Sequence, residues 1–174
     1  AVQGLILAPT RELAIQIGDE LRSLLTYYQN IRVAVLYGGA GIGGQIKQLE
    51  RKPQIVVATP GRLMDHYNRK TIRFDKIQTV VLDEADRMLD MGFFKDVTRI
   101  LDKVKNRRNL GLFSATISQE VMTVQWMYQR DEVEITVEPK HEDRPDIDQY
   151  CLTCTPLEKA EKTLRLIKSQ GYER

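Results

Sequence analysis

Gln78-Thr79-Val80-Val81-Leu82-Asp83-Glu84-Ala85-Asp86 sets the fold of this chain. Thr79–Leu82 is an unbroken β-branched and apolar run, the pattern of a strand buried on both faces of a parallel sheet. The run stops at two consecutive carboxylates, Asp83 and Glu84. An acid at the end of a buried strand can hold a divalent cation, and its neighbour can polarise a water. On its own the pair also reads as a capping Asp beside a solvent-exposed Glu.

Gly4–Ala8, Val33–Tyr37, Ile55–Ala58 and Asn109–Phe113 have the same look, and helical patterns separate them. A helix is expected from Thr10, with Leu13, Ile17, Leu21, Leu24 and Tyr28 on one stripe and Gly18 tolerated within it. Ile46 and Leu49 mark a short helix. Thr59 is placed to cap the next one, with Pro60 at its first position, where a missing N–H costs nothing. Met91–Val104 is expected to bury Val97, Ile100, Leu101 and Val104. Ser118 opens a helix carrying Val121, Val124 and Met127, with Trp126 packed against its stripe. Val133–Val137 and Tyr150–Thr153 read as further strands, and Leu157, Ala160, Leu164 and Ile167 mark a final helix.

This alternation predicts an α/β fold: a parallel sheet with helices on both faces. Ligands of such sheets gather at the C-terminal ends of the strands. Arg11, Gly38, Thr59, Asp83 and Ser114 all follow strands closely. That placement nominates them as site residues without any further knowledge.

Bulk properties exclude rather than identify. The 174 residues are 42% hydrophobic, on the scale of one domain. No apolar run approaches membrane-spanning length, so a membrane partner is not expected. Two cysteines, Cys151 and Cys154, do not make a disulfide scaffold, and without a second ligand pair their spacing is not a zinc site. Net charge is +2, but residues 1–82 carry 11 Lys/Arg against 6 Asp/Glu, while residues 83–174 carry 15 against 18. A basic front half suits a nucleic-acid backbone; a solvated surface of mixed charge explains the same numbers.

Five short elements, in order, narrow the reading. They are Pro9-Thr10-Arg11-Glu12-Leu13-Ala14 with Gln16, Gly38-Gly39, Thr59-Pro60-Gly61-Arg62, Asp83-Glu84-Ala85-Asp86 and Ser114-Ala115-Thr116. Each is weak alone; the series at this spacing resembles the first RecA-like domain of a DEAD-box RNA helicase. The resemblance runs from residue 1 to about residue 137. It implies a partial RecA-like domain over residues 1–137, a linker-like segment at 138–148, and a strand and helix at 149–174 leading toward a second RecA-like domain. An intracellular protein, of cytoplasm or nucleus, is also implied.

The resemblance assigns Asp83 to Mg2+, held directly or through water, and Glu84 to the attacking water of ATP hydrolysis. It makes Asp86, Ser114 and Thr116 the linkage between the ATP site and unwinding, with both hydroxyls directed to Asp86. Pro9, Thr10, Arg11, Gln16, Gly38, Gly39, Thr59, Pro60, Gly61 and Arg62 fall in its groove for single-stranded or short duplex RNA. Elementary chemistry agrees. Gly38-Gly39 lets a backbone approach closely. Thr59 and Gly61 can offer N–H groups near a helix start. Arg11 and Arg62 can make charge-assisted phosphate bonds, which carry no sequence code. Arg11 pairing with a surface Glu is the plain alternative.

Nowhere does the sequence contain a Gly-x-x-x-x-Gly-Lys-Ser/Thr phosphate loop. The family's adenine-reading segment and second RecA-like domain are also missing from these residues. The parent function implied is local, ATP-dependent unwinding of short RNA duplexes; a non-catalytic RNA- or protein-binding remnant is the alternative. The resemblance further places the missing phosphate-loop strand between those ending at Asp83 and Ser114. Its loss is expected to leave a central gap or two unsatisfied edges, and self-association through the incomplete sheet is one outcome. Asp83 cannot replace a nest of N–H groups and a Lys. Isothermal titration calorimetry on the 174-residue chain is therefore expected to show only very weak ATP binding, with no cofactor held by the isolated chain and no meaningful ATPase. A saturable micromolar isotherm contradicts this.

Overall fold

A computed structural model describes residues 1–137 and 150–170. The chain divides into two compact units, Ala1–Glu132 and Val133–Arg174. The first is built from β1 (Gly4–Leu7), α1 (Arg11–Leu24), β2 (Val33–Leu36), α2 (Ile42–Glu50), β3 (Ile55–Ala58), α3 (Pro60–Asn68) and β4 (Thr79–Leu82). It continues with α4 (Ala85–Met88), α5 (Phe94–Lys103), β5 (Asn109–Leu112) and α6 (Gln119–Tyr128). The second unit contains α7 (Lys159–Gln170).

All five strands are parallel, in the order β2-β3-β1-β4-β5. Helices cover both faces. On one side Ala8, Ala14, Val35 and Val57 are buried beneath α1. On the other, Leu5, Leu7, Leu36, Val56, Val80 and Leu82 meet Leu63, Ile100, Leu101, Val121 and Val124. The strand residues alternate between these two cores, as a two-unit side-chain period requires.

The expected central gap is absent. β4 and β5 pair directly, Val80 with Leu110 and Leu82 with Leu112. Each strand thereby satisfies the other's backbone groups, and among the described residues the unpaired edges belong to β2 and β5. The α1 face is thinly covered at that end. Val81 and Gly111 are half-buried, and Phe113 is exposed although its ring lies over Gly111.

Several local expectations change. Val133–Val137 forms no strand: Val133, Ile135 and Val137 are 84%, 83% and 87% exposed, and no strand among the described residues pairs with them. Tyr150–Thr153 is likewise irregular. Residues 138–148, read as a linker, lie outside the described residues. Trp126 is 86% exposed because α6 buries only Val121 and Val124. Leu24 and Tyr28 are exposed where α1 ends. The Met91–Val104 helix is broken by a π-helical turn at Leu89–Phe93, with Gly92 left-handed at φ 87°. Thr59 occupies the cap position of α3 but makes no side-chain capping bond.

Gly18 lies in the buried face of α1, and a Cβ there would run into Cγ2 of Val35 on β2. Its small size sets how closely α1 seats on the sheet. Gly18→Ala is expected to lower stability by about 1–3 kcal/mol through overpacking, measured as a lower urea midpoint at unchanged slope.

Candidate functional site

Every motif singled out in the first unit lies at or next to the C-terminal end of a strand. After β1, Pro9 is buried and Thr10 caps α1, its Oγ1 accepting from Leu13 N–H at 3.3 Å. Arg11 starts the helix and pairs with Glu12 at 3.0 Å, the plain alternative for this residue. Gln16 is exposed on α1. After β2, Gly38 and Gly39 are exposed. Gly39 has φ +82°, and a Cβ added there would sit 3.6 Å from Arg11 Nη1, so the arginine lies across a glycine that must be left-handed.

After β3, the Thr59 N–H is already used, donating to Leu36 O at 3.0 Å. It is therefore unavailable to a phosphate, contrary to expectation. Pro60 is buried and Gly61 exposed in the first turn of α3. Arg62 Nη1 donates to Ala40 O at 3.0 Å. Of the residues expected in a groove, Arg11 and Arg62 meet at the 38–40 turn, Arg11 beside Gly39 and Arg62 on Ala40. Buried Pro9 and Pro60 shape it from below.

Sequence reasoning missed what holds this turn. His66 is fully buried in α3, its Nε2 3.0 Å from Gln45 Oε1 and its Nδ1 2.8 Å from Thr71 Oγ1. Gln45 Nε2 donates to Tyr37 O at 2.9 Å, immediately before Gly38. With its amide oriented by that bond, Gln45 presents its oxygen to His66, so Nε2 carries the proton; the Thr71 hydroxyl lies within reach of both Nδ1 and the His66 carbonyl, to which it donates at 3.0 Å. The only sequence signal was a Gln and a His, 21 residues apart, on predicted helices.

At the end of β4, Asp83 and Glu84 are half-buried. One Asp83 oxygen accepts from Glu84 N–H at 3.0 Å; the other has no hydrogen bond among the described residues. Glu84 has left-handed backbone, φ 46° and ψ 53°, disfavoured for a non-glycine residue by about 1–2 kcal/mol. The end of β5 holds it in place. Ala85 N–H donates to Phe113 O at 2.9 Å and Asp86 N–H to Ser114 Oγ at 3.1 Å. Asp86 Oδ2 accepts from both the Thr116 N–H at 2.8 Å and the Thr116 hydroxyl at 2.7 Å.

Thr116 thus reaches the Asp86 carboxylate as expected. Ser114 instead takes the Asp86 N–H and donates its hydroxyl to Thr116 O at 2.7 Å. The Thr116 hydroxyl, followed by the Arg87 and Thr116 N–H groups, holds the Asp86 carboxyl below its ordinary range against the opposing effect of burial. The Glu84 carboxylate pairs with Arg87 at 3.0 Å.

No group of three His, Cys, Asp or Glu side chains suited to a metal occurs among the described residues. The one donor set here is the open Asp83 oxygen. That suits Mg2+, which typically takes one or two carboxylates and completes its shell with waters and phosphate oxygens.

Residues 1–124 match the family model described as DEAD/DEAH box helicase. The chain belongs to this family. It is 41% identical over 173 residues to the DEAD-box ATP-dependent RNA helicase CshA of Bacillus cereus, covering 99% of this chain and 33% of that protein. It is similar to the solved structure of a DEAD box protein from Methanococcus jannaschii, at 41% identity and TM-score 0.74, covering 97% of this chain and 45% of that one. The yeast DEAD-box splicing factor Prp28 matches at 34% identity and TM-score 0.72, over 75% of this chain and 31% of its own. The chain spans about a third of the length of the curated relatives it matches. Its DEAD element is Asp83–Asp86, locked to β5 through Asp86.

Burial holds the His66 imidazole below its ordinary value of 6.5; Arg62 and Arg69 add to this and Asp65 partly offsets it. The unfolded chain therefore takes the proton first. Stability tied to His66 is whole above pH 6.5 and drains as the pH falls toward the depressed folded value. The urea midpoint is expected to drop between pH 6.5 and 5, and His66→Gln is expected to flatten that limb.

Proposed function

We propose that this chain is one RecA-like half of an ATP-dependent RNA helicase that locally unwinds short RNA duplexes. Its own residues 1–174 are inactive as an ATPase in this reading, since they hold no phosphate loop. Family membership and the names of its relatives support the reading. The observation that carries it is the Asp86 lock, in which Thr116 and Ser114 at the end of β5 clamp the segment bearing Asp83 and Glu84.

In the complete protein, Asp83 would hold Mg2+, directly or through water, and the ion would supply charge neutralisation at the β- and γ-phosphates. Glu84 would orient and polarise the attacking water once its carboxylate turns from Arg87. The 38–40 turn, Arg11 and Arg62 would grip RNA phosphates without reading bases. A second RecA-like domain would close on the same strand and bend it, so that a short duplex opens locally. Reopening after hydrolysis would release the product. The unpaired edge of β5, rather than a central gap, is the surface offered to a second copy of the chain.

The Asp86 lock joins the ends of β4 and β5 without supplying a phosphate ligand. Ser114→Ala with Thr116→Ala, made in the complete protein, is expected to leave ATP hydrolysis largely intact. Strand separation is expected to fall by about 10-fold or more, the scale of a typical coupling free energy. Parallel loss in ATPase and duplex-unwinding assays would remove the coupling role.

A further inference from the structure

The charge of this domain is concentrated at the end away from the groove. Four loops, residues 25–32, 51–54, 69–78 and 104–108, return the chain from a helix to the N-terminal end of the next strand. They hold ten of the 26 Lys and Arg residues and one of the 24 acids, Asp75. The loops leaving the C-terminal strand ends, where the groove lies, hold no Lys or Arg and two acids, Asp83 and Glu84.

Helix C-termini attract cations, but that effect fades beyond the last turn. Arg51 and Arg69 are the caps of α2 and α3 and fit it. Arg107 is tied to Leu101 O and Tyr128 O, and Arg69 and Arg73 pair with Asp65 and Asp75. Arg32 Nη1 donates to Arg51 O at 2.8 Å, at the end of α2. That leaves Lys52, Lys70, Lys76, Lys105 and Arg108. All are exposed, and none has an ion pair among the described residues. Helix capping does not account for them.

The loops are fixed in relation to one another. Asn106 Nδ2 donates to Asp75 O at 2.6 Å, and Arg108 N–H donates to Gln78 O at 2.8 Å. Lys70, Arg73, Lys103 and Lys105 line an open depression of about 810 Å3 floored by Tyr67 and Phe74. The two rings lie 4.7 Å apart and Lys103 Nζ sits 4.9 Å over Tyr67. That face of Tyr67 is taken, so the depression offers charge rather than a stacking platform. Across the sheet the rim spans roughly 20 Å, four strand spacings. Its far corner carries Tyr27, 93% exposed, and Tyr28, on the same loop as Arg32.

We propose that the N-terminal end of the sheet is a second RNA-binding face, which holds the phosphates of a single strand without reading its sequence. A row of cations ending at the exposed rings of Tyr27 and Tyr28 favours a single strand over a protein or a lipid surface, because bases can stack on those rings while phosphates meet the cations. This face goes beyond the proposed groove and lies at the opposite end of every strand. A strand held there would stay attached while the groove lets go.

The test is fluorescence anisotropy of the 174-residue chain with a labelled 12-nucleotide oligouridylate between 50 and 200 mM KCl, without nucleotide. The rim variant Lys76→Glu, Lys105→Glu, Arg108→Glu is expected to bind at least about 10-fold more weakly at 50 mM. Losing three phosphate contacts should also shallow the slope of log K against log salt by about 2. The matching variant with Lys76→Arg and Lys105→Arg should keep wild-type binding. The groove variant Arg11→Ala, Arg62→Ala reads the other face, and residual salt-dependent binding by it is expected. Unchanged affinity and slope in the rim variant would overturn the proposal. So would loss of all binding in the groove variant alone. A rim variant that binds RNA normally but no longer sediments with phosphatidylcholine–phosphatidylserine vesicles would also overturn it, by making the rim a lipid surface.

Discussion

Direct pairing of β4 with β5 is the constraint on which the rest of the structure depends. Register between Thr79–Leu82 and Asn109–Leu112 brings the strand ends at Asp83 and Ser114 side by side. Only then can Asp86 N–H reach Ser114 Oγ and the Asp86 carboxylate receive both donors of Thr116. These bonds, with Ala85 N–H on Phe113 O, hold Glu84 in its left-handed conformation. A strand inserted between the two would break every one of them. The closed pairing therefore holds the carboxylate end together in a sheet whose outer strand, β5, pairs on one side only among the described residues.

The 38–40 turn is organised by a different kind of interaction. Gln45 and His66 are the two buried polar side chains among the described residues, and each finds its partners. Buried polar groups left unpaired are costly, so such a network tolerates few arrangements. Here it fixes the carbonyl of Tyr37 and, through it, the start of the 38–40 turn. Arg62, four residues before His66 on α3, then bonds Ala40 on the same turn. Precision at an exposed, glycine-rich turn is thus supplied from the core beneath it.

The two ends of the sheet differ in chemistry. Phosphate-binding candidates at the C-terminal end rely on glycines, backbone groups and two arginines already engaged with protein partners. The N-terminal end is densely cationic, with few of its charges paired. A parallel sheet separates the two because its crossovers send every helix-to-strand return to one end and every strand-to-helix departure to the other.

Local pattern sufficed for much of this. Apolar runs gave β3 and β4 their bounds because a strand buried on both faces has no polar position to blur them. The Gly, Thr-Pro and Asp-Glu elements were legible because departures from strands need special backbone or capping chemistry. Local pattern failed where partners decide. Val133, Ile135 and Val137 alternate like a strand but pair with none among the described residues, and Trp126 looks like core but faces outward. The His66–Gln45 bond and the Ser114 hydroxyl's turn to backbone depend on contacts many residues apart. So do the strand order and the gathering of one cationic rim from four separate loops. Sequence by itself determined the family, the parallel α/β class and the identity of the motif residues, since these rest on local residue types and spacing. Tertiary structure alone decided which of those residues touch, because hydrogen-bond geometry and burial exist only once the strands are in register.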